Sequence, residues 1–245
     1  MKSFLKINEL SLLRKYVAHY PIGFLLFRLS ILIKQINLLR GKWGQRAIEY
    51  PWLISNLKAI QKNSLVLDVG CSESLVTHEL IRKGFRVVGL DINDYPFKDK
   101  HVVFIKRNLL KTELPSGVFD VITMVSTIEH IGLEAYGQIV KDTDADIEAL
   151  SELKRILKDQ GIIIVTTPYV GTYKLKVGNN VRLYNKRRLK KLVSGLKIIK
   201  EAYFYPLKVK NRFIWIEVSK QQMDKLPFSD KEESIGLVCF ILQKD

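Results

Sequence analysis

Two hydrophobic regimes divide the chain. From Ile22 to Leu39, 12 of 18 residues are large and apolar. Helical spacing puts Ile22, Leu25, Leu26, Leu29, Ile33 and Ile36 on one face, with Phe24, Phe27, Ile31 and Leu38 as a second strip. A membrane span needs about 20 nearly charge-free residues, and Arg28 and Lys34 interrupt this stretch. No small-residue cleavage pattern follows it, so neither a span nor a cleaved leader is expected. Two readings remain open. The segment is either a helix capping the core or a second subunit, or a basic amphipathic helix at a membrane interface. In the second reading Lys2, Lys6, Arg14, Lys15, Lys34, Arg40 and Lys42 lie near lipid phosphates. Gly41 and Gly44 flank Trp43 as a break. The expected division is a helical extension over 1–44 and a second domain over 45–245.

Beyond the break the period changes. A helix is expected from Gln45 to Ile60, with Pro51 marking a kink or a start. Short apolar runs then alternate with helical patterns. Strands are predicted at Ser64–Val69, Arg86–Leu90, His101–Lys106, Asp120–Val125 and Ile162–Thr166. Helices are predicted at Ser74–Lys83, Asp144–Leu157 and Lys186–Val193. This alternation implies a mostly parallel sheet covered on both faces. The last candidate strands, Leu196–Tyr205 and Ile235–Leu242, are expected to pair as an antiparallel hairpin.

Charge is unevenly placed. The net charge is +15, but residues 61–170 carry 13 basic and 16 acidic side chains, whereas 171–212 carry 13 basic and one acidic. Basic blocks suit polyanions, whether nucleic acid, an anionic membrane surface or a phosphorylated substrate. Two cysteines, Cys71 and Cys239, cannot build a disulfide framework or a zinc site, which points to a reducing, cytoplasmic compartment.

The segment Val66-Leu67-Asp68-Val69-Gly70-Cys71-Ser72-Glu73-Ser74 concentrates the chemistry. An acid sits near the end of the first strand, and small residues form a tight turn into a helix. Ligands in doubly wound sheets bind at the carboxyl ends of strands. The second strand ends in Asp91, where a carboxylate can accept from both hydroxyls of a ribose. The run from Gly70 lacks the later glycines of a dinucleotide fingerprint, and no P-loop string occurs. A nucleoside ligand without a pyrophosphate fits better. Asp68 would repel a pyrophosphate but can orient a cation, which favours S-adenosylmethionine.

These residues, with VVGLDIN, FDVITMVSTIEHIG and LKRILKDQGIIIVTTPY, resemble the class I, seven-strand, Rossmann-like S-adenosylmethionine-dependent methyltransferases. Within that superfamily they are similar to a branch often linked to glycan and polysaccharide assembly. The resemblance implies that Asp68, Gly70 and Ser72 line the methionine end. Asp91 would hold the ribose and Ile92 pack on adenine, with Asn108 and Leu109 near the base. Ser126 and Thr127 would face the sulfonium. Ser72 and Ser74 replace glycines of the family's loop, and Arg107-Asn108 stands where an acid usually touches adenine.

Glu129 and His130 are the catalytic candidates. Histidine suits removal of a hydroxyl proton near neutral pH. His19, His78 and His101 are expected off the crevice. Asp142, Asp144 and Asp146 could collect a divalent ion, but a solvated loop with Asp144 capping a helix is the expectation, and no metal is assigned. Tyr169 of Thr167-Pro168-Tyr169 is expected to wall the acceptor pocket. Arg182 and Tyr184 could recognise a substrate phosphate or carboxylate. The expected function is an O-directed methyltransferase acting on a glycan, lipid-linked saccharide or small metabolite. Its rivals are an RNA methyltransferase using the 171–212 block and a non-catalytic scaffold that kept the cofactor fold.

Overall fold

A computed structural model describes residues 44–96, 100–134, 144–171, 176–177, 180–209, 212–227 and 235–245. The expected N-terminal extension, His19 and Asp142 lie outside the described residues. Ten strands are described: β1 Leu65–Val69, β2 Arg86–Asp91, β3 Val102–Lys106, β4 Phe119–Val125, β5 Leu157–Tyr169, β6 Lys176–Val177, β7 Arg182–Leu183, β8 Lys197–Val209, β9 Arg212–Val218 and β10 Gly236–Gln243. The α-helices are α1 Arg46–Asn56, α2 Val76–Arg82, α3 Ala145–Ile156, α4 Lys186–Leu192 and α5 Lys220–Met223.

The main sheet has the order β3-β2-β1-β4-β5-β10-β8-β9. The first five strands are parallel, and the last three are antiparallel additions. The mixed, mostly parallel sheet agrees with the expected Rossmann-like class, but it has eight strands rather than seven. The extra one is β9, whose alternating Arg-Phe-Ile-Trp-Ile-Glu-Val run escaped the sequence reading. The expected antiparallel pairing of the last two candidate strands forms between β8 and β10, with β9 lying between them in sequence. β8 turns back onto β9, while β10 inserts between β5 and β8. Its all-buried Leu237–Leu242 run needs a neighbour on each side, which a terminal hairpin would not supply.

Period-two alternation sorts each central strand between two cores. Leu67, Val69, Ile122 and Met124 join the cluster beneath α3 and α4, which includes Leu150, Leu153 and Leu189. Val66, Val121 and Val125 point the other way, against Leu53 and Leu57 of the first helical segment and Leu80 of α2. α1 extends through Pro51 rather than starting there. A proline removes one helical hydrogen bond, and packing on the sheet offsets that loss here. Ile48 and Trp52 lie against Ala202, Phe204, Leu237 and Cys239. α1 therefore clamps the parallel half of the sheet to the antiparallel half. This brings its first turn to the carboxyl ends of β4 and β5.

Candidate active site

The crevice at the carboxyl ends of β1, β2 and β4 begins with Gly70. Its backbone is left-handed, at φ 77°, a conformation glycine adopts without steric cost. A Cβ there would collide with the Thr127 side chain, so the two loops close on each other only with glycine at this position. The next turn is stitched to the second strand by Asp91. Asp91 Oδ2 accepts from the Ser72 N–H at 2.9 Å, and Oδ1 accepts from the Asn93 N–H at 2.8 Å. The Ser72 hydroxyl donates to the Asn93 carbonyl at 3.2 Å. Each carboxylate oxygen has two acceptor sites. Asp91 therefore keeps one per oxygen for a vicinal diol, which fits a ribose.

Gly70, Ser72, Asp91, Ile92, Asn108, Leu109 and Ser126 all line this crevice, as does Thr127. Ile92 and Leu109 supply apolar surface for a base. Asn108 Oδ1 accepts from the Leu110 N–H at 2.9 Å and starts a short 3-10 turn. Its amide nitrogen, a donor, is left for a ring nitrogen of the base. Asp68 is placed differently from the other expected cofactor residues. It is 1% exposed, outside the crevice lining, and accepts from the Thr77 and Thr123 hydroxyls at 2.6 and 2.9 Å. Burial pushes its pKa up to about 6 against the pull of the two hydroxyls. In this position Asp68 ties β1 to α2 and β4 beneath the turn.

Ser126 follows β4 with φ 42°. A left-handed non-glycine residue costs about 1–3 kcal/mol and persists only where its surroundings impose it. Here the Ser126 N–H donates to Thr166, and its hydroxyl donates to Glu49. Glu49 is fully buried, accepts also from the Thr166 hydroxyl, and pairs with Arg46 at 2.8 Å. Arg46 donates from the same nitrogen to the Val125 carbonyl at 3.3 Å. Burial opposes its charge, but Glu49, Tyr50 and Glu129 outweigh burial and hold its pKa above the ordinary range. Arg46 lines the crevice together with Gly70 and Thr127, so it can pair with the carboxylate of a bound amino acid. The sequence reading missed both Arg46 and Glu49. The only available signal was an Arg-x-x-Glu pair on an otherwise apolar helix.

A second cavity adjoins the first and shares Arg46, Ser126 and His130 with it. Glu49, Glu129, Pro168 and Leu183 complete much of its wall. His130 Nδ1 is bonded to the Asn180 carbonyl. A carbonyl only accepts, so the proton sits on Nδ1 and Nε2 is the basic nitrogen. Burial lowers the His130 pKa, Arg46 adds to this, and the Asn180 carbonyl opposes it. The imidazole is thus neutral at neutral pH.

Glu129 is 2% exposed and accepts from the Thr167 hydroxyl at 3.4 Å. Burial pushes its pKa up to about 8, helped by Glu49 and opposed by Arg46 and Thr167. A carboxyl with a raised folded pKa holds its proton more firmly in the folded chain. Its stabilising effect is complete below about 4.5, the ordinary glutamate value, and declines as pH rises toward about 8. Glu129→Gln, which stays neutral, is therefore expected to gain melting temperature over the wild type at pH 8 relative to pH 5. Thermal melts across that range check it, and a constant difference would refute the assignment.

Several expected substrate contacts turn inward instead. Arg182 and Tyr184 are both fully buried. The Tyr184 hydroxyl donates to Asp146 Oδ2 at 2.9 Å, and Arg182 donates to the Ile131 carbonyl at 3.3 Å. They support the loop bearing His130 from behind and line neither of the two cavities. Tyr169 is also fully buried and donates to Asp224 at 2.6 Å, so Pro168 rather than Tyr169 faces the second cavity. Asp144 and Asp146 pair with Arg188, which neutralises one cation of the basic 171–212 block. Among the described residues no cluster of three His, Cys, Asp or Glu could hold a metal. His78 lies on α2 beside Tyr95, and His101 is exposed ahead of β3.

The sheet order, the glycine turn and the placement of Asp91 agree with the resemblance to class I S-adenosylmethionine-dependent methyltransferases. Residues 67–165, from β1 into β5, match the family described as Methyltransferase domain. The chain is 25% identical over 156 residues to an uncharacterized protein of Methanocaldococcus jannaschii, covering 60% of this chain and 61% of that one. It is 31% identical over 91 residues to a ubiquinone biosynthesis O-methyltransferase of Nitrosococcus oceani, covering 31% of this chain and 39% of that one. The chain thus spans less than two thirds of these relatives. A crystal structure of an S-adenosylmethionine-dependent methyltransferase from Archaeoglobus fulgidus shares the fold, with TM-score 0.58 and 16% identity over 82% of this chain and 95% of that one.

Proposed function

We propose that the protein transfers a methyl group to a hydroxyl of a glycan, a lipid-linked saccharide or a small metabolite. The observation that carries this reading is His130. It lies on the wall between the two cavities, with Nδ1 bonded to the Asn180 carbonyl, which makes Nε2 the basic nitrogen. S-adenosylmethionine, when bound, supplies an electrophilic methyl group. Gly70, Asp91, Ile92 and Asn108 would hold it, with Arg46 at its carboxylate. The second cavity would receive the acceptor. His130 Nε2 then takes the acceptor proton, and Glu129, neutral and buried, donates a hydrogen bond that orients the acceptor. Methyl transfer is an in-line displacement, so alignment of donor and acceptor supplies much of the rate. The O-methyltransferase relative supports a hydroxyl acceptor.

An untargeted search for methylated products in cells with and without the gene tests this. Methylated sugars, lipid-linked sugars or hydroxylated metabolites that disappear with the gene support it. Methylated RNA as the sole loss would favour the rival reading, and donor binding with no lost product would favour a scaffold.

The division near residue 44 belongs to the same reading, with residues 1–44 as a basic, apolar membrane contact on the cytoplasmic side. Among the described residues, no helix is long and apolar enough to cross a membrane. Removing residues 1–44 is expected to weaken co-sedimentation with anionic vesicles at least about tenfold, since each basic residue near such a surface contributes about 1 kcal/mol. Unchanged sedimentation, or aggregation of the shortened chain, would make the segment a structural cap.

A further inference from the structure

β8 outruns the sheet. Its last residue paired with β10 is Phe204, opposite Leu237, yet it continues through Val209 paired, among the described residues, with β9 alone. Five residues therefore overhang, which at about 3.3 Å per residue is about 16 Å of two-stranded ribbon. The direction of the overhang follows from the pairing. β8 and β5 are both antiparallel to β10, so β8 runs the same way as the parallel strands. The ribbon thus projects from the end of the sheet where Gly70, Asp91 and Ser126 form the crevice.

One face of this ribbon is apolar and open. Leu207 and Ile214 pair directly across it, and Ile216 lies opposite Tyr205. Leu207, Val209, Ile214 and Ile216 are 39%, 46%, 51% and 36% exposed. Isolated surface aliphatics are ordinary, but a contiguous patch marks an interaction site. By strand alternation Lys208 lies on the opposite face, whereas Arg212 stands opposite Val209 on the same face as the aliphatic residues, and the sequence from 207 to 216 carries no acid. The partner must therefore offer both hydrocarbon and negative charge. A nucleic acid would meet the cations but gives the aliphatic face nothing. A second copy would cover the aliphatic face but bring like charges together.

We propose that the β8–β9 ribbon docks through Leu207, Val209, Ile214 and Ile216 on an anionic lipid bilayer. This turns the mouth of the crevice toward lipid-borne molecules. The inference stands on the ribbon alone and depends neither on methyl transfer nor on residues 1–44.

A fluorophore at the ribbon tests it in the full-length chain. Cys71 and Cys239 are both buried, so Ile214→Cys offers the accessible thiol for a polarity-sensitive label. Emission is expected to shift to the blue with vesicles of phosphatidylcholine and phosphatidylglycerol. It should not shift with phosphatidylcholine alone, and high salt should reverse it. The double variant Leu207→Ser/Val209→Ser should weaken vesicle binding on the order of tenfold. Arg212→Glu should weaken it too while leaving the fold, read by circular dichroism, unchanged. A label that ignores vesicles with which the protein co-sediments would overturn the proposal and leave the N-terminal contact standing. A shift that grows with protein concentration without lipid would overturn it in favour of a second copy. An equal shift with pure phosphatidylcholine would overturn its electrostatic half.

Discussion

His130→Ala is expected to lower turnover by about 10²–10⁴ while the affinity for S-adenosylmethionine changes little. The magnitude is that of a general base removed from a site whose alignment is otherwise kept. The geometry explains why the loss should fall on turnover. His130 sits on the shared wall, its Nδ1 is anchored to the Asn180 carbonyl, and its loop is supported by the buried Tyr184 and Arg182. Burial and Arg46 lower its pKa below the ordinary value of 6.5. The acid limb of the pH–rate profile is therefore expected below pH 6.5, and it should vanish in the variant. Steady-state rates across pH, with donor binding measured in parallel, check this. An unaltered rate, or an equal loss of donor affinity, would assign His130 to structure or to cofactor contact.

Asp91→Ala is expected to weaken S-adenosylmethionine by about 1.5–3 kcal/mol, the range for hydrogen bonds to a charged group, or about ten- to a hundredfold in affinity. Part of that loss is indirect. The alanine also leaves the Ser72 and Asn93 N–H groups without their acceptor, so the turn after β1 loosens. Asp91→Asn retains an acceptor oxygen and is expected to lose less. Calorimetry with the donor and with S-adenosylhomocysteine separates these effects. Unchanged affinity in Asp91→Ala, or no binding by the wild type, would remove the ribose role.

Much of the crevice was legible in the sequence because it is built from short local signals at strand ends. Gly70, Ser72, Asp91, Ile92, Asn108, Leu109 and Ser126 each follow a strand whose apolar run is readable by itself, and sheet topology brings those ends together. Asp68 belonged to the same signal, but its depth did not. Whether an acid at a strand end faces ligand or core depends on its neighbours, here Thr77 and Thr123. Arg182 and Tyr184 read as ligand contacts because a cation beside an aromatic residue is ambiguous in one dimension. Their partner, Asp146, lies on α3, about forty residues earlier in the chain.

What the sequence determined by itself is the parallel half of the fold and the class of ligand at its strand ends. Both rest on interactions within some twenty residues: period-two burial, a glycine that accepts a left-handed turn, and an acid that closes the next strand. What only the tertiary structure decided lies across long chain separations. Glu49 meets Thr166 and Ser126, Tyr184 meets Asp146, β10 inserts between β5 and β8, and β8 overhangs its neighbour. Such contacts leave no periodic trace. Each partner's own neighbours would satisfy the same local rules in other folds, and only the packing of α1 and the antiparallel strands against one core selects among them.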